Sequence, residues 1–161
     1  MVIYTDGSAH PNPGPGGFGV IVLNNNSIKE VYCKQFLDAK VTNNEMELKA
    51  ILYAFLKYSI KPNSENFAET PIIYSDSAYS INTLTNWCFN WARNGWIKSD
   101  KKVPENLELI KAFYNHWQKG YRVEFRKVKG HKGEKWNEYA DLLATGKLTP
   151  EQIIEMEKDN G

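Results

Sequence analysis

Near residue 42 the apolar pattern of this chain changes period, and that change limits the possible folds more than any other feature of the sequence. Before it, residues 1–9, 18–23 and 28–37 run or alternate at strand lengths. Turn chemistry separates them: Gly7 and the glycine- and proline-rich residues 10–17, then Asn24, Asn25 and Asn26. Three strands with short links predict an antiparallel meander. After the change, Met46, Ala50, Ile51, Ala54, Phe55 and Tyr58 recur at helical spacing. They predict a helix to Tyr58, capped by Thr42 or Asn43.

The later segments alternate in type. Residues 61–70 are polar and read as a loop, and residues 71–76 as a short strand. Helices are predicted over 77–84, over 86–94 (ended by Gly95), and from Pro104 to Lys119 before Gly120. Residues 121–128 alternate as a last strand. Residues 136–145 place Trp136, Tyr139, Ala140, Leu143 and Ala144 on one helical face. Thr149, Pro150 and Gln152 form a capping box with proline at the first helical position, so a final short helix is expected. Strands separated by helices pair in parallel through right-handed crossovers. The predicted fold is α/β, a mixed five-stranded sheet with helices on its faces. Residues 1–146 form the domain, and residues 147–161 are a C-terminal extension expected to add a short helix to it.

Length and composition suit one domain with a substantial core: 161 residues, 42% hydrophobic and 24% charged. No apolar run reaches the ~18 residues of a membrane span, and no leader pattern opens the chain. Cys33 and Cys88 lack metal-type spacing and read as packing thiols. The expectation is a cytoplasmic monomer without a membrane segment. A net charge of +1 makes no case for a polyanionic partner, but its distribution does. Residues 119–135 hold seven Lys/Arg against two acids, and Arg93, Lys98, Lys101 and Lys102 surround Asp100. Such local basic patches suit a polyanion; they also suit a solvated surface.

Asp6, Glu47, Asp76 and Asp141 stand at strand ends or on helices beside apolar residues. Asp6 and Asp76 close the first and fourth predicted strands, and ligands bind outside the carboxyl ends of parallel strands. Glu47 lies in the first turns of the intervening helix. Asn137 precedes Asp141 by four residues and shares its helix face. Taken singly, each acid also suits a turn, a cap or a solvated face. Gathered together they would repel, so a fold that collects them does so to hold cations. Oxygen-only ligands point to a hard ion such as Mg²⁺. His131, between Gly130 and Gly133 on a basic loop, suits proton handling rather than ligation.

Five motifs carry a resemblance: Thr5-Asp-Gly-Ser8 with residues 12–17, residues 42–48 (TNNEMEL), residues 74–77 (YSDS), residues 128–131 (VKGH), and Asn137 through Asp141. In this order over residues 1–146 they resemble type 1 ribonuclease H. The resemblance implies the ribonuclease H-like fold, with strand order 3-2-1-4-5 and strand 2 antiparallel. It implies an endonuclease that hydrolyses the RNA strand of RNA–DNA hybrids by a two-metal-ion mechanism, leaving 5′-phosphate and 3′-hydroxyl ends. Two Mg²⁺ ions, or Mn²⁺ in their place, would be held by Asp6, Glu47, Asp76 and Asp141, with His131 as the family's mobile histidine.

The resemblance also assigns substrate contacts. Gly7 and Ser8 lie where the family's backbone approaches the 2′-hydroxyl, and Asn12, Asn43 and Asn44 match positions that touch the hybrid's minor groove. Lys40, Thr42 and Asn106 match a DNA-phosphate pocket. Trp87, Trp91 and Ser99 match a channel for deoxyriboses, although two tryptophans at i, i+4 also suit a core. Residues 86–102 resemble the family's basic protrusion, and Asn137 accompanies Asp141. Ala78 stands where many relatives carry a longer side chain, and nothing in the family accounts for the stretch after residue 147. No amino-terminal hybrid-binding module is seen, so high processivity is not expected. Two other classes compete: a non-catalytic hybrid-binding module of the same fold, and an integrase-like nuclease acting on DNA.

Overall fold

The computed structural model describes residues 1–61, 69–128 and 134–160. Among these residues eleven helices and strands, joined at one point by a π-helical turn, build the fold. They are β1 (Val2–Ala9), β2 (Gly14–Asn24), β3 (Ser27–Val41), α1 (Asn43–Tyr58), β4 (Ile72–Ser75), α2 (Ala78–Asn82), α3 (Cys88–Arg93), α4 (Leu107–Gln118), β5 (Glu124–Lys127), α5 (Lys135–Ala144) and α6 (Pro150–Asn160). The sheet order is β3-β2-β1-β4-β5. β2 is antiparallel to both neighbours, and β1, β4 and β5 are parallel. This is the predicted mixed sheet and the predicted order.

Alternation along the strands divides the core. Ile3, Val20, Val22 and Ile73 face α1 and α4, where Ile51, Phe55, Ile110 and Phe113 are all buried. Ile21 and Leu23 face the other way and pack with Ala140 and Leu143 of α5 and Ile153 of α6. Thr42 caps α1, its hydroxyl accepting from the Glu45 N–H at 3.1 Å. The Thr149 capping box forms as predicted: Thr149 N donates to the Gln152 side chain at 2.8 Å, and Gln152 N donates to Thr149 Oγ1 at 3.2 Å. Among the described residues no helix is long and apolar enough to cross a membrane.

Several boundaries differ from the expectation. The glycine-rich residues from Gly14 onward are strand, not loop, and β3 runs on to Val41. Their lack of side chains is what lets neighbours close in: a Cβ on Gly19 would stand 2.5 Å from Leu143 Cβ and 2.8 Å from the Ala140 carbonyl oxygen. The helices expected over 77–84 and 86–94 are continuous, because a π-helical turn, Thr83–Trp87, joins α2 to α3. The next helix starts at Leu107 rather than Pro104, after Asn106 at φ 60°. β5 is shortened to four residues, and Arg122 instead pairs with Ile60 across an isolated bridge.

Candidate active site

The parallel pairing of β1 with β4 stops at Tyr4↔Tyr74, where the two rings stack with centroids 5.0 Å apart. Asp6 and Asp76 each stand two residues beyond that rung. β1 itself continues along β2 to Ala9, so Asp6 lies inside the strand rather than at its end. The crevice opens because β4 ends at Ser75 while β1 goes on.

Glu47 reaches the crevice through a close approach at Gly7. A Cβ on Gly7 would fall within the backbone of Met46 and Glu47, so only glycine lets the first turns of α1 rest on β1. Asn43 and Asn12 fix that contact: the Ala9 N–H donates to Asn43 Oδ1 at 2.6 Å, and the Asn43 N–H donates to Asn12 Oδ1 at 3.1 Å. Asp6, Glu47 and Asp76 thereby offer carboxylate oxygens that all lie within 4.8 Å of one another. Asp6 and Glu47 are buried, and Asp76 faces solvent.

The electrostatics are those of an uncompensated site. Asp6 is pushed up to about 7, mainly by burial; a hydrogen bond with Glu47 opposes the rise, and the charges of Asp76 and Asp141 add to it. Burial and then the Asp6 charge hold Glu47 well above the usual carboxylate range. Burial also raises Asp76, with Asp141 adding. Glu47 Oε2 is buried and has no hydrogen-bond partner among the described residues. An unpaired buried carboxylate oxygen is costly, and a cation against it removes the cost. Three converging carboxylates with no nitrogen or sulfur donor fit a hard divalent ion.

Asp141 is exposed on α5 and stands outside the close trio, near enough for its charge to raise Asp6 and Asp76. Asn137 sits one turn before it, with Oδ1 buried and unpartnered among the described residues. His131 lies outside the described residues.

The expected substrate residues fall into two groups. Gly7, Ser8, Asn12, Thr42, Asn43 and Asn44 gather where β1 and α1 meet, beside the carboxylates. Gly7 is spent on helix packing, and Asn12 and Asn43 also hold the backbone. Lys40 is exposed near the end of β3. Farther along, Asn44, Trp87, Trp91 and Ser99 line one cavity of about 550 Å³ with Tyr79, Lys98 and Glu105. Trp87 is 39% exposed and lies 6.2 Å from Trp91, so this pair forms an open wall rather than core. Asn106 joins that wall by donating to the Tyr79 hydroxyl at 3.3 Å. Tyr79 was not expected there; its place three residues after Asp76, on the first turn of α2, is the only sequence signal for it.

The ribonuclease H family model matches residues 1–149. A ribonuclease H of Syntrophomonas wolfei is 43% identical over 145 residues, covering 89% of this chain and 92% of the relative. LC9-RNase H1, described as a type 1 RNase H with the type 2 active-site motif, is 28% identical, with a TM-score of 0.66 over 92% of this chain and 72% of that one. LC11-RNase H1, solved in complex with RNA/DNA hybrid, shares the fold at a TM-score of 0.58 and 19% identity, over 89% of this chain and 92% of that one. With its sheet order, its carboxylate crevice and these likenesses in hand, the chain belongs to the ribonuclease H family.

Proposed function

We propose that this protein is a divalent-cation-dependent endonuclease that cuts the RNA strand of RNA–DNA hybrids. One observation carries the reading: Asp6, Glu47 and Asp76 converge at a strand-end crevice, with a buried oxygen unpaired among the described residues. Asp6, Glu47 and Asp76 would hold the ion, with Asp141 completing the set for a second, and Mg²⁺ is the ion best matched to oxygen-only ligands. When bound, such ions activate water and neutralise charge on the scissile phosphate.

This chain's own residues supply the positioning. Attack of water on phosphorus forms one P–O bond and breaks the bond to the 3′-oxygen, which leaves as a 3′-hydroxyl opposite a 5′-phosphate. Ser8, Asn12, Asn43 and Asn44 stand beside the carboxylates, where amide and hydroxyl groups can read the 2′-hydroxyls that mark RNA. The Trp87–Trp91 wall, with Lys98 and Ser99, suits the sugars and phosphates of the DNA strand. Asn137 has a buried acceptor beside Asp141 with no partner among the described residues, able to orient the strand being cut.

An end-labelled hybrid incubated with Mg²⁺ tests the reading, with EDTA and RNA duplex as controls. Cleavage in Mg²⁺ alone, with 5′-phosphate products, is expected. Tight binding without cleavage in either Mg²⁺ or Mn²⁺ would establish a hybrid-binding module instead.

A further inference from the structure

The family model ends at residue 149, and Asp6, Glu47, Asp76 and Asp141 all precede that point. Residues 150–160 nevertheless form α6, and α6 grips the helix that carries Asp141. Ile153 is fully buried among Ile21, Leu23, Ala140 and Leu143. Glu157 then clamps α5 with both oxygens: Lys135 Nζ lies 2.8 Å from Oε2, and the Tyr139 hydroxyl donates to Oε1 at 2.9 Å. Lys135 and Tyr139 are one turn apart on α5. Lys135, then Tyr139, hold the Glu157 carboxyl below its usual range, so the clamp is charged at neutral pH. At the opposite end of α5, Gln35 Nε2 donates to the carbonyls of Leu143 at 2.8 Å and Ala144 at 3.3 Å.

Asp141 lies between these two anchors. Asp141 is carried by α5, so the seat of α5 on β1 and β2 sets its distance from Asp6 and Asp76. The geometry points to Glu157 as a positioning residue: through Lys135 and Tyr139 it fixes α5, and so fixes Asp141 against the carboxylate trio. The C-terminal helix is then part of the cation site's support and not an appendage. This inference rests on the reading of that site as a divalent-cation centre.

The test compares Glu157→Ala and Tyr139→Phe with Tyr58→Phe, which removes a hydroxyl on the opposite face of the sheet. Mn²⁺ binding to the substrate-free protein is followed by electron paramagnetic resonance. The Mg²⁺ concentration for half-maximal hybrid cleavage and the KM for hybrid are measured alongside, and melting temperatures are recorded for all variants. Glu157→Ala is expected to weaken Mn²⁺ binding and raise the Mg²⁺ requirement about tenfold, Tyr139→Phe about threefold, with KM unchanged. Tyr58→Phe should melt lower and move neither. If the α5 and α6 variants lose melting temperature yet keep wild-type Mn²⁺ affinity, the brace is merely structural and the inference falls. Should Glu157→Ala not fold, Tyr139→Phe, which keeps the ring, decides. A wild-type protein that never cuts the hybrid would sink the nuclease reading, while the Mn²⁺ comparison would still judge the brace.

Discussion

Glu30 and Glu47 are both partly or wholly withdrawn from water beside α1, and they are treated in opposite ways. Glu30, on β3, is surrounded by donors. Its Oε2 accepts from the Tyr53 hydroxyl and from Lys57 Nζ, each at 2.7 Å, and its Oε1 accepts from the Tyr58 hydroxyl. Although burial opposes it, these donors hold Glu30 below its ordinary range. Glu47 has Asp6 and Asp76 for neighbours, an oxygen with no donor among the described residues, and a carboxyl held well above its ordinary range. One fold thus surrounds one acid with donors and leaves an oxygen of the other without a partner among the described residues. Glu30 has donors from its own chain on both oxygens, whereas in the crevice the Gly7 N–H donates to Asp6 at 2.9 Å and Glu47 Oε2 has no partner among the described residues.

The largest expected effect separates the two clusters by function. Asp76→Asn should lower Mg²⁺-dependent cleavage of hybrid by roughly 10⁴-fold, about 5 kcal/mol of barrier, while hybrid affinity in EDTA stays near wild type. Glu30→Gln should leave cleavage within about twofold, since it meets no part of the crevice. Initial rates on a labelled hybrid read both, and equal losses in the two variants would erase the distinction.

The next effect is on stability and differs in sign between the clusters. Asp6 is raised in the folded, metal-free protein to about 7 from 3.8. A raised carboxyl adds stability that is complete below its unfolded value and is lost as pH climbs through about 7. Glu30 is lowered, so its contribution is present above its unfolded value and lost as pH falls through the folded one. In EDTA, Asp6→Asn should therefore gain stability over wild type at pH 8, on the order of 3 kcal/mol, and little at pH 4. Mg²⁺ should restore the wild type alone. Urea unfolding across that pH range checks this; parallel curves for the two proteins would contradict it.

These contrasts also mark what the sequence could reveal. Asp6 and Asp76 were legible because each follows a β-type run, and a parallel sheet brings such ends together. Glu47 was legible only as a helix position; that it reaches Asp6 depends on Gly7 having no side chain, a tertiary fact. Asp141 was found, but its standing apart from the trio was not, because the seat of α5 on β1 and β2, with Gly19 beneath Ala140 and Leu143, is a tertiary fact. The strand over Gly14–Asn24 was cut short because glycine disfavours strands in isolation, and sheet pairing on both sides overrides that preference. The π-helical turn left no local signal: Thr83 and Leu84 continue an ordinary helical pattern, and the extra residue is absorbed by packing.

Gly19 supplies the third contrast, between a glycine and the cluster it serves. Gly19 pairs with Asp6 across the β1–β2 ladder, and α5 rests on it. Gly19→Ala should push α5 outward, costing about 2 kcal/mol of stability. The same variant should raise the Mg²⁺ requirement more than it raises KM, because Asp141 moves with α5. Thermal melts and Mg²⁺ titrations read the two effects separately.

The smallest effect tests whether Glu30 is structural alone. Its side chain is 22% exposed and that of Lys57 is 50% exposed, so water screens the pair and the ion pair by itself adds little. The tyrosine hydroxyls matter more, because Tyr53 stacks on Tyr32 at 4.2 Å and Tyr58 packs against the α1 core. Glu30→Gln keeps an acceptor for one hydroxyl and loses the charge that the rest share. The expected cost is about 1 kcal/mol at pH 7, shrinking as pH falls through the lowered range in which the Glu30 carboxyl takes up its proton. Urea unfolding followed downward from pH 7 gives the answer. A loss that stays constant at every pH would mean that Glu30 acts through shape rather than charge, and the contrast with Glu47 would then be one of packing and not of electrostatics.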